Sequence, residues 1–166
     1  MFRKRLTAGL AVLKSRTVFG VGRFRYSDGL AGGGSSAIHA RHLDGFVAGQ
    51  WGLNLPPRGS GRIVYRIEAS DGGVFKTAIL TSPKIAYEAD KLSNAIEIRT
   101  PTSGDKFVSL ARNQNLENEK RDFDLTNIVA GIPWFELRIS AHNRSTITRL
   151  SLLSLGVRGE VVEKQD

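Results

Sequence analysis

A period-two pattern of β-branched and aromatic side chains begins at residue 62. Ile63, Tyr65 and Ile67 alternate with Val64, Arg66 and Glu68, and a period of two sends one set inward and the other toward solvent. Asp71-Gly72-Gly73 then supplies a turn, and residues 74–80 read as the returning strand of a hairpin. Further strands are predicted at 85–88, at 95–99 with Ile96 and Ile98 inward, at 106–111 and at 122–125. The sharpest pattern spans 134–141, where Phe135, Leu137, Ile139 and Ala141 share one face and Trp134, Glu136, Arg138 and Ser140 the other. A strand at 147–157 follows, with a terminal one at 159–163. About eight short strands, turn signals between most of them and no sustained helical period predict an all-β fold, an antiparallel sandwich or barrel.

The first sixty residues have a different texture. Leu6, Leu10 and Leu13 sit at i, i+4, i+7 among basic residues, so residues 1–18 read as a short amphipathic helix or an extended arm. Glycine is dense up to residue 61 and includes the run Gly32-Gly33-Gly34, which disfavours a packed element. Residues 19–60 are therefore expected to be mostly irregular, with a helical turn around 37–47. Pro56-Pro57-Arg58-Gly59-Ser60-Gly61 marks the boundary between an arm and linker, 1–60, and a sandwich domain, 61–166.

Charge follows the same division. The chain carries a net +8, and residues 1–66 hold eleven Lys or Arg against two acids, Asp28 and Asp44. The remainder is nearly neutral. A basic, glycine-rich strap cannot bury enough of its own apolar surface to offset its ordering entropy, so an external partner is expected to order it. The docking residues read from this pattern are Arg3, Lys4, Arg5, Lys14, Arg16, Phe19, Arg23, Phe24, Arg25 and Tyr26. Arginine interleaved with aromatics also suits nucleic acid, through phosphate contacts and base stacking. The opening 18 residues imitate a mitochondrial presequence or an amphipathic anchor rather than a secretory signal. No run is long and apolar enough for a membrane-spanning helix.

Catalytic templates are absent. The chain lacks cysteine, a phosphate-binding glycine loop, a nucleophile elbow and an H-E-x-x-H pair, so neither an enzyme nor a metal or other cofactor is expected. His39 and His42 have i, i+3 spacing but no third ligand nearby. Asp122 and Asp124 would share a strand face, where Lys120 and Arg121 are expected to pair with them. Asn143-Arg144-Ser145 is a formal glycosylation sequon. Two tryptophans divide by context. Trp51 is expected to anchor the linker on the sandwich, whereas Trp134, with Glu136 and Arg138, is placed on a polar face as a platform for a sugar or a partner.

The final stretch resembles the C-terminal half of galactose-binding-like (discoidin-type) jelly-roll modules. Trp134-Phe-Glu-Leu-Arg-Ile-Ser-Ala141 stands where that family has a strand of similar texture, and Leu150-Ser-Leu-Leu-Ser-Leu-Gly-Val-Arg-Gly159 stands where it has the closing strand. The usual disulfide is missing. The resemblance implies an antiparallel jelly-roll β-sandwich with an extended basic N-terminal arm. A basic arm ahead of a cysteine-free sandwich is also similar in plan to bacteriophage virion proteins. That resemblance implies a structural virion component docking on neighbouring subunits through its arm. The alternatives are a carbohydrate-binding module that touches a cell-surface glycan through Trp134, and a nucleic-acid contact through the arm.

Overall fold

The computed structural model of the protein describes residues 10–12, 16–30, 40–116 and 120–166, and these build two packed sheets. The first sheet runs β1 (Leu10–Val12), β4 (His42–Asp44), β7 (Ser60–Ala69), β13 (Trp134–Asn143), β10 (Leu92–Arg99) and β11 (Val108–Arg112), with β2 (Thr17–Phe19) also on β7. The second runs β12 (Phe123–Asp124), β8 (Gly73–Leu80), β14 (Arg149–Glu163), β6 (Leu53–Leu55) and β5 (Val47–Ala48), with β3 (Gly22–Gly29) and β9 (Lys84–Ile85) also on β14. Every pairing is antiparallel except β2 on β7. A short helix, α1 (Thr126–Val129), leads from β12 toward β13. The all-β sandwich expected from alternation is the fold observed.

The core fills the space between the sheets. Ile63, Tyr65, Ile67, Phe135, Leu137 and Ile139 enter it from the first sheet, and Phe75, Leu80, Leu152, Val157 and Val161 from the second. These are the inward positions of the period-two pattern, and each buried large apolar side chain stabilises the fold by about 1.5–3 kcal/mol.

Residues 19–60 differ from expectation. β3 alternates strictly, with Phe24, Tyr26 and Asp28 buried and Arg23, Arg25 and Ser27 exposed. It pairs along eight residues with β14, from Gly22 opposite Val161 to Gly29 opposite Ser154. Phe19 stacks on Phe24 at 4.4 Å, Phe24 meets Phe75 edge-on at 5.7 Å, and Phe75 meets Phe135 at 5.0 Å. The rings of the supposed strap thus run into the centre of the core. No helical turn forms between residues 40 and 47, where β4 and β5 lie instead. The expected boundary at residue 60 separates nothing among the described residues, because β2 to β6 share sheets with β7 to β14.

Two further expectations shift. Residues 62–80 do not form an in-sheet hairpin, because the turn at Gly72 (φ +78°) carries the chain from β7 in the first sheet to β8 in the second. The two strands predicted at 147–157 and 159–163 are one, β14, fifteen residues long. Gly159 lies inside it because a Cβ there would collide with the Thr77 carbonyl oxygen of β8. β14 is the spine of the second sheet and pairs with β3, β6, β8 and β9.

Candidate functional site

Strand register decides what the outer face of the first sheet presents. Asp44, Arg62, Ser140, Ala95 and Arg112 are successive cross-strand partners on β4, β7, β13, β10 and β11. Ser60, His142 and Ser93 form a second row on β7, β13 and β10. Side chains at paired positions stand on the same face. Short ones at Ser140 and Ala95 in the first row and at Ser60 and Ser93 in the second leave an open trough of about 610 Å³, lined by these residues and by His142. Arg62 and Asp44 stand along one side, Arg112 and Asn113 along the other, and Arg144 lines it as well.

The polar groups of the trough are held by specific bonds. Ser60 Oγ and His142 Nδ1 are 2.7 Å apart. Asp44 Oδ2 lies 2.8 Å from His42 Nε2 and accepts a hydrogen bond from Arg62 Nη2 at 3.0 Å. Burial pulls the Asp44 carboxyl upward, but the hydrogen bonds from His42 and Arg62, with their charges, outweigh it and hold the group below the usual carboxylate range. The trough thus offers hydroxyls, the Asn113 amide, an imidazole, one ionised carboxylate and three guanidinia, with no Phe, Tyr or Trp among the described residues of its lining. Among the described residues no three potential metal-ligating side chains converge.

The same face is built differently at its other end. Glu136 is buried, with its side chain 3% exposed. It accepts hydrogen bonds from Arg99 Nε at 2.8 Å and Arg66 Nη1 at 3.3 Å, and Arg41 Nε lies 3.3 Å away. The Arg66 guanidinium lies 3.9 Å from the centre of the Trp134 ring and that of Arg99 5.4 Å from it. Arg138 donates to Glu97 at 2.7 Å and stacks over Phe107 at 4.0 Å. Trp134, Glu136 and Arg138 therefore do share a face, as strand alternation requires. Yet the tryptophan is covered by the protein's own arginines, and the carboxylate is consumed by them.

The expected docking residues scatter. Arg3, Lys4, Arg5 and Lys14 lie outside the described residues, as does His39. Arg16 is exposed and pairs with Glu68 at 2.9 Å. Phe19, Phe24 and Tyr26 belong to the core or pack against it, so they are not docking groups. Arg23 and Arg25 are exposed on the outer face of the second sheet, opposite Glu160 and Arg158 of β14.

The other candidates are also reassigned. Trp51, expected to anchor the linker, is 68% exposed at the tip between β5 and β6. Asn143 is fully buried, its Nδ2 donating to the carbonyls of Leu55, Pro56 and Ile147, so it ties loops together instead of facing solvent as a sequon. Asp122 pairs with Arg158 at 3.2 Å and accepts from Ser82, not from its neighbours Lys120 or Arg121. Asp124 accepts from the Thr126 N–H at the start of α1. Arg62, Arg112 and Arg144 were not singled out as site residues, because only the register of four strands brings the first two to one trough.

No protein-family model matches the chain, and no curated protein matches it. Among solved structures it is similar to the xylan-binding module CBM15, at 13% identity over 84% of this chain and 97% of that one, with a TM-score of 0.41. It is also similar to TmCBM61, solved with β-1,4-galactotriose, at 11% identity over 84% and 85% of the two chains and a TM-score of 0.34. A third is the exo-β-1,3-galactanase from Phanerochaete chrysosporium, at 13% identity over 82% of this chain and 27% of that one, with a TM-score of 0.32. Likenesses this distant carry no weight for ligand or activity.

Proposed function

We propose that the protein is a non-catalytic glycan-binding module whose ligand lies in the trough on the outer face of the first sheet. The observation that carries this reading is the row Arg62, Ser140, Ala95, Arg112, in which two long donors flank a floor of short side chains. A saccharide presents closely spaced hydroxyls that both donate and accept, and the trough supplies both kinds of partner at short intervals. An apolar small molecule would need a largely apolar pocket. A protein partner would need aromatic or aliphatic anchors, and the lining offers only alanine and glycine as apolar positions. Acid–base glycoside cleavage needs two carboxyl groups about the scissile bond, and among the described residues of the lining Asp44 is the one carboxylate. Binding without bond-breaking is the chemistry that fits.

The test is a glycan array followed by calorimetry on the hits. Ser140→Leu would fill the floor and is expected to weaken binding at least tenfold with little change in melting temperature. A flat array, or hits that Ser140→Leu leaves untouched, would remove the trough as the binding site.

The reading as an assembly component loses its main premise for residues 16–30 and 40–60. These are ordered by pairing and packing within their own sandwich, with no external chain needed to order them.

A further inference from the structure

We infer that the glycan held in this trough is acidic, carrying carboxylate or sulfate groups that Arg112 and Arg144 read. The inference rests on the glycan reading and names the ligand class of that same site.

Charge balance within the lining is the first ground. Three cations, Arg62, Arg112 and Arg144, face one acid, Asp44. Asp44 is already engaged by Arg62 at 3.0 Å and by His42 at 2.8 Å. Among the described residues, neither Arg112 nor Arg144 has a carboxylate within ion-pair distance, and both are exposed. Elsewhere on this face the guanidinia are matched: Arg66 and Arg99 by Glu136, Arg138 by Glu97, Arg16 by Glu68. Arg41 also contacts Glu136, so each of these guanidinia touches a carboxylate, whereas Arg112 and Arg144, which border the hollow, touch none among the described residues.

Chemistry of the donors is the second ground. Among the described residues of the lining the guanidinium of arginine is the cationic group, and no lysine is present. A guanidinium offers a planar fork of N–H groups that matches a carboxylate or sulfate with two parallel hydrogen bonds, and such charge-assisted pairs are about twice as strong as neutral ones. Arg62 and Arg112 are three strand steps apart across Ser140 and Ala95, about 14 Å between their Cα atoms at the usual spacing. They can close on a ligand from both sides.

The third ground is the missing ring. A neutral sugar lacking charge gains much of its affinity by laying its apolar face on an aromatic side chain. No Phe, Tyr or Trp is among the described residues that line the trough, and Trp134 is spent under Arg66 and Arg99. Charge-assisted hydrogen bonds must supply what stacking does not.

The experiment is calorimetry on the full chain with four probes at low and at physiological salt. They are a neutral oligosaccharide series, galacturonate oligomers, a sulfated oligosaccharide series and a single-stranded oligonucleotide. Either acidic saccharide is expected to bind at least tenfold tighter than the neutral series and to weaken with salt, and whichever binds identifies the acid group. The double variant Arg112→Gln, Arg144→Gln should remove that preference, bringing the acidic saccharides down to the affinity the same variant shows for the neutral series. Arg23→Gln with Arg25→Gln, on the opposite face, should change nothing.

Equal binding of neutral and acidic saccharides would overturn the inference while the glycan reading stands. So would an acidic preference that survives the Arg112/Arg144 variant or vanishes in the Arg23/Arg25 variant. Tightest binding by the oligonucleotide would overturn the inference and the glycan reading together, and silence from every probe would do the same. Salt dependence in the unaltered protein supplies a reading of charge even if a variant misfolds.

Discussion

The two ends of the outer face of the first sheet use the same strands and the same arginine-rich vocabulary, yet they do opposite things. At one end Arg66, Arg99 and Arg41 converge on the buried Glu136, and the first two roof over Trp134. At the other, Arg62, Arg112 and Arg144 border a hollow with one partly satisfied acid. The difference lies in what fills the central strand. Glutamate at position 136 draws its neighbours in and closes the surface, whereas serine at 140 leaves them standing apart. Availability of a guanidinium is thus set by the residue one row across, not by its own identity.

The largest test of this contrast is Glu136→Ala. Removing the buried carboxylate takes away the acid that Arg41, Arg66 and Arg99 share. Because these guanidinia stay partly exposed and Arg66 keeps Glu68, the loss is about 1.5–3 kcal/mol, that of a hydrogen bond to a charged group. A correspondingly lower melting temperature is expected, with ligand affinity in the trough unchanged in the folded fraction. If the trough variant Ser140→Leu destabilised the protein as much, the two ends would not be functionally separate. Next in size is Trp134→Leu. It removes the ring beneath two guanidinia, worth about 0.5–1 kcal/mol for cation–π contact at a partly exposed site. Denaturant titration should show this loss, and glycan binding should not move. A Trp134→Leu variant that abolished binding would return the tryptophan to the role read from sequence.

The smallest effect concerns acid. Because Asp44 has a lowered pKa in the fold, its contribution is present above the ordinary aspartate pKa of about 3.9 and lost as pH falls through the lower native value. Asp44→Asn should erase only the small portion of acid destabilisation that this half-exposed group supplies. A melting-temperature profile between pH 2 and 6, run on both proteins, would measure it.

Local pattern carried the fold class and the faces of β7, β10 and β13, because alternation is written into each strand by itself. β3 is equally explicit over Arg23-Phe24-Arg25-Tyr26-Ser27, where polar and apolar residues alternate. It was taken for part of a strap because charge and glycine content were averaged over sixty residues, and an average hides a period of two. Asp28 shows the same lesson in reverse. Counted as one of two acids in a basic segment, it is in fact buried, accepting a hydrogen bond from Tyr65 Oη at 2.7 Å between the sheets. Burial and that neighbouring charge push the Tyr65 phenol well above its usual range.

The site was less legible than the fold. The face shared by Trp134, Glu136 and Arg138 followed from alternation, but its occupants did not. Whether Arg66 and Arg99 cover the tryptophan depends on which strands flank β13, and no single-strand pattern states that. The exposure of Trp51 escaped for a related reason. Its apolar neighbours Leu53 and Leu55 turn into the core from β6, while the tight turn before them, closed by the Gly49 N–H on the Gly52 carbonyl, throws the indole outward.

The long strand β14 has a consequence for biosynthesis. β3 and β8 leave the ribosome early, and both present hydrogen-bonding edges whose partner is made only when β14 is translated, more than a hundred residues after β3. Until then the nascent second sheet has no centre, and its open edges are exposed to pairing with other chains. Closure of the second sheet should therefore wait for β14, and folding should be sensitive to chaperones that shield strand edges and to the time spent making the strands between β3 and β14.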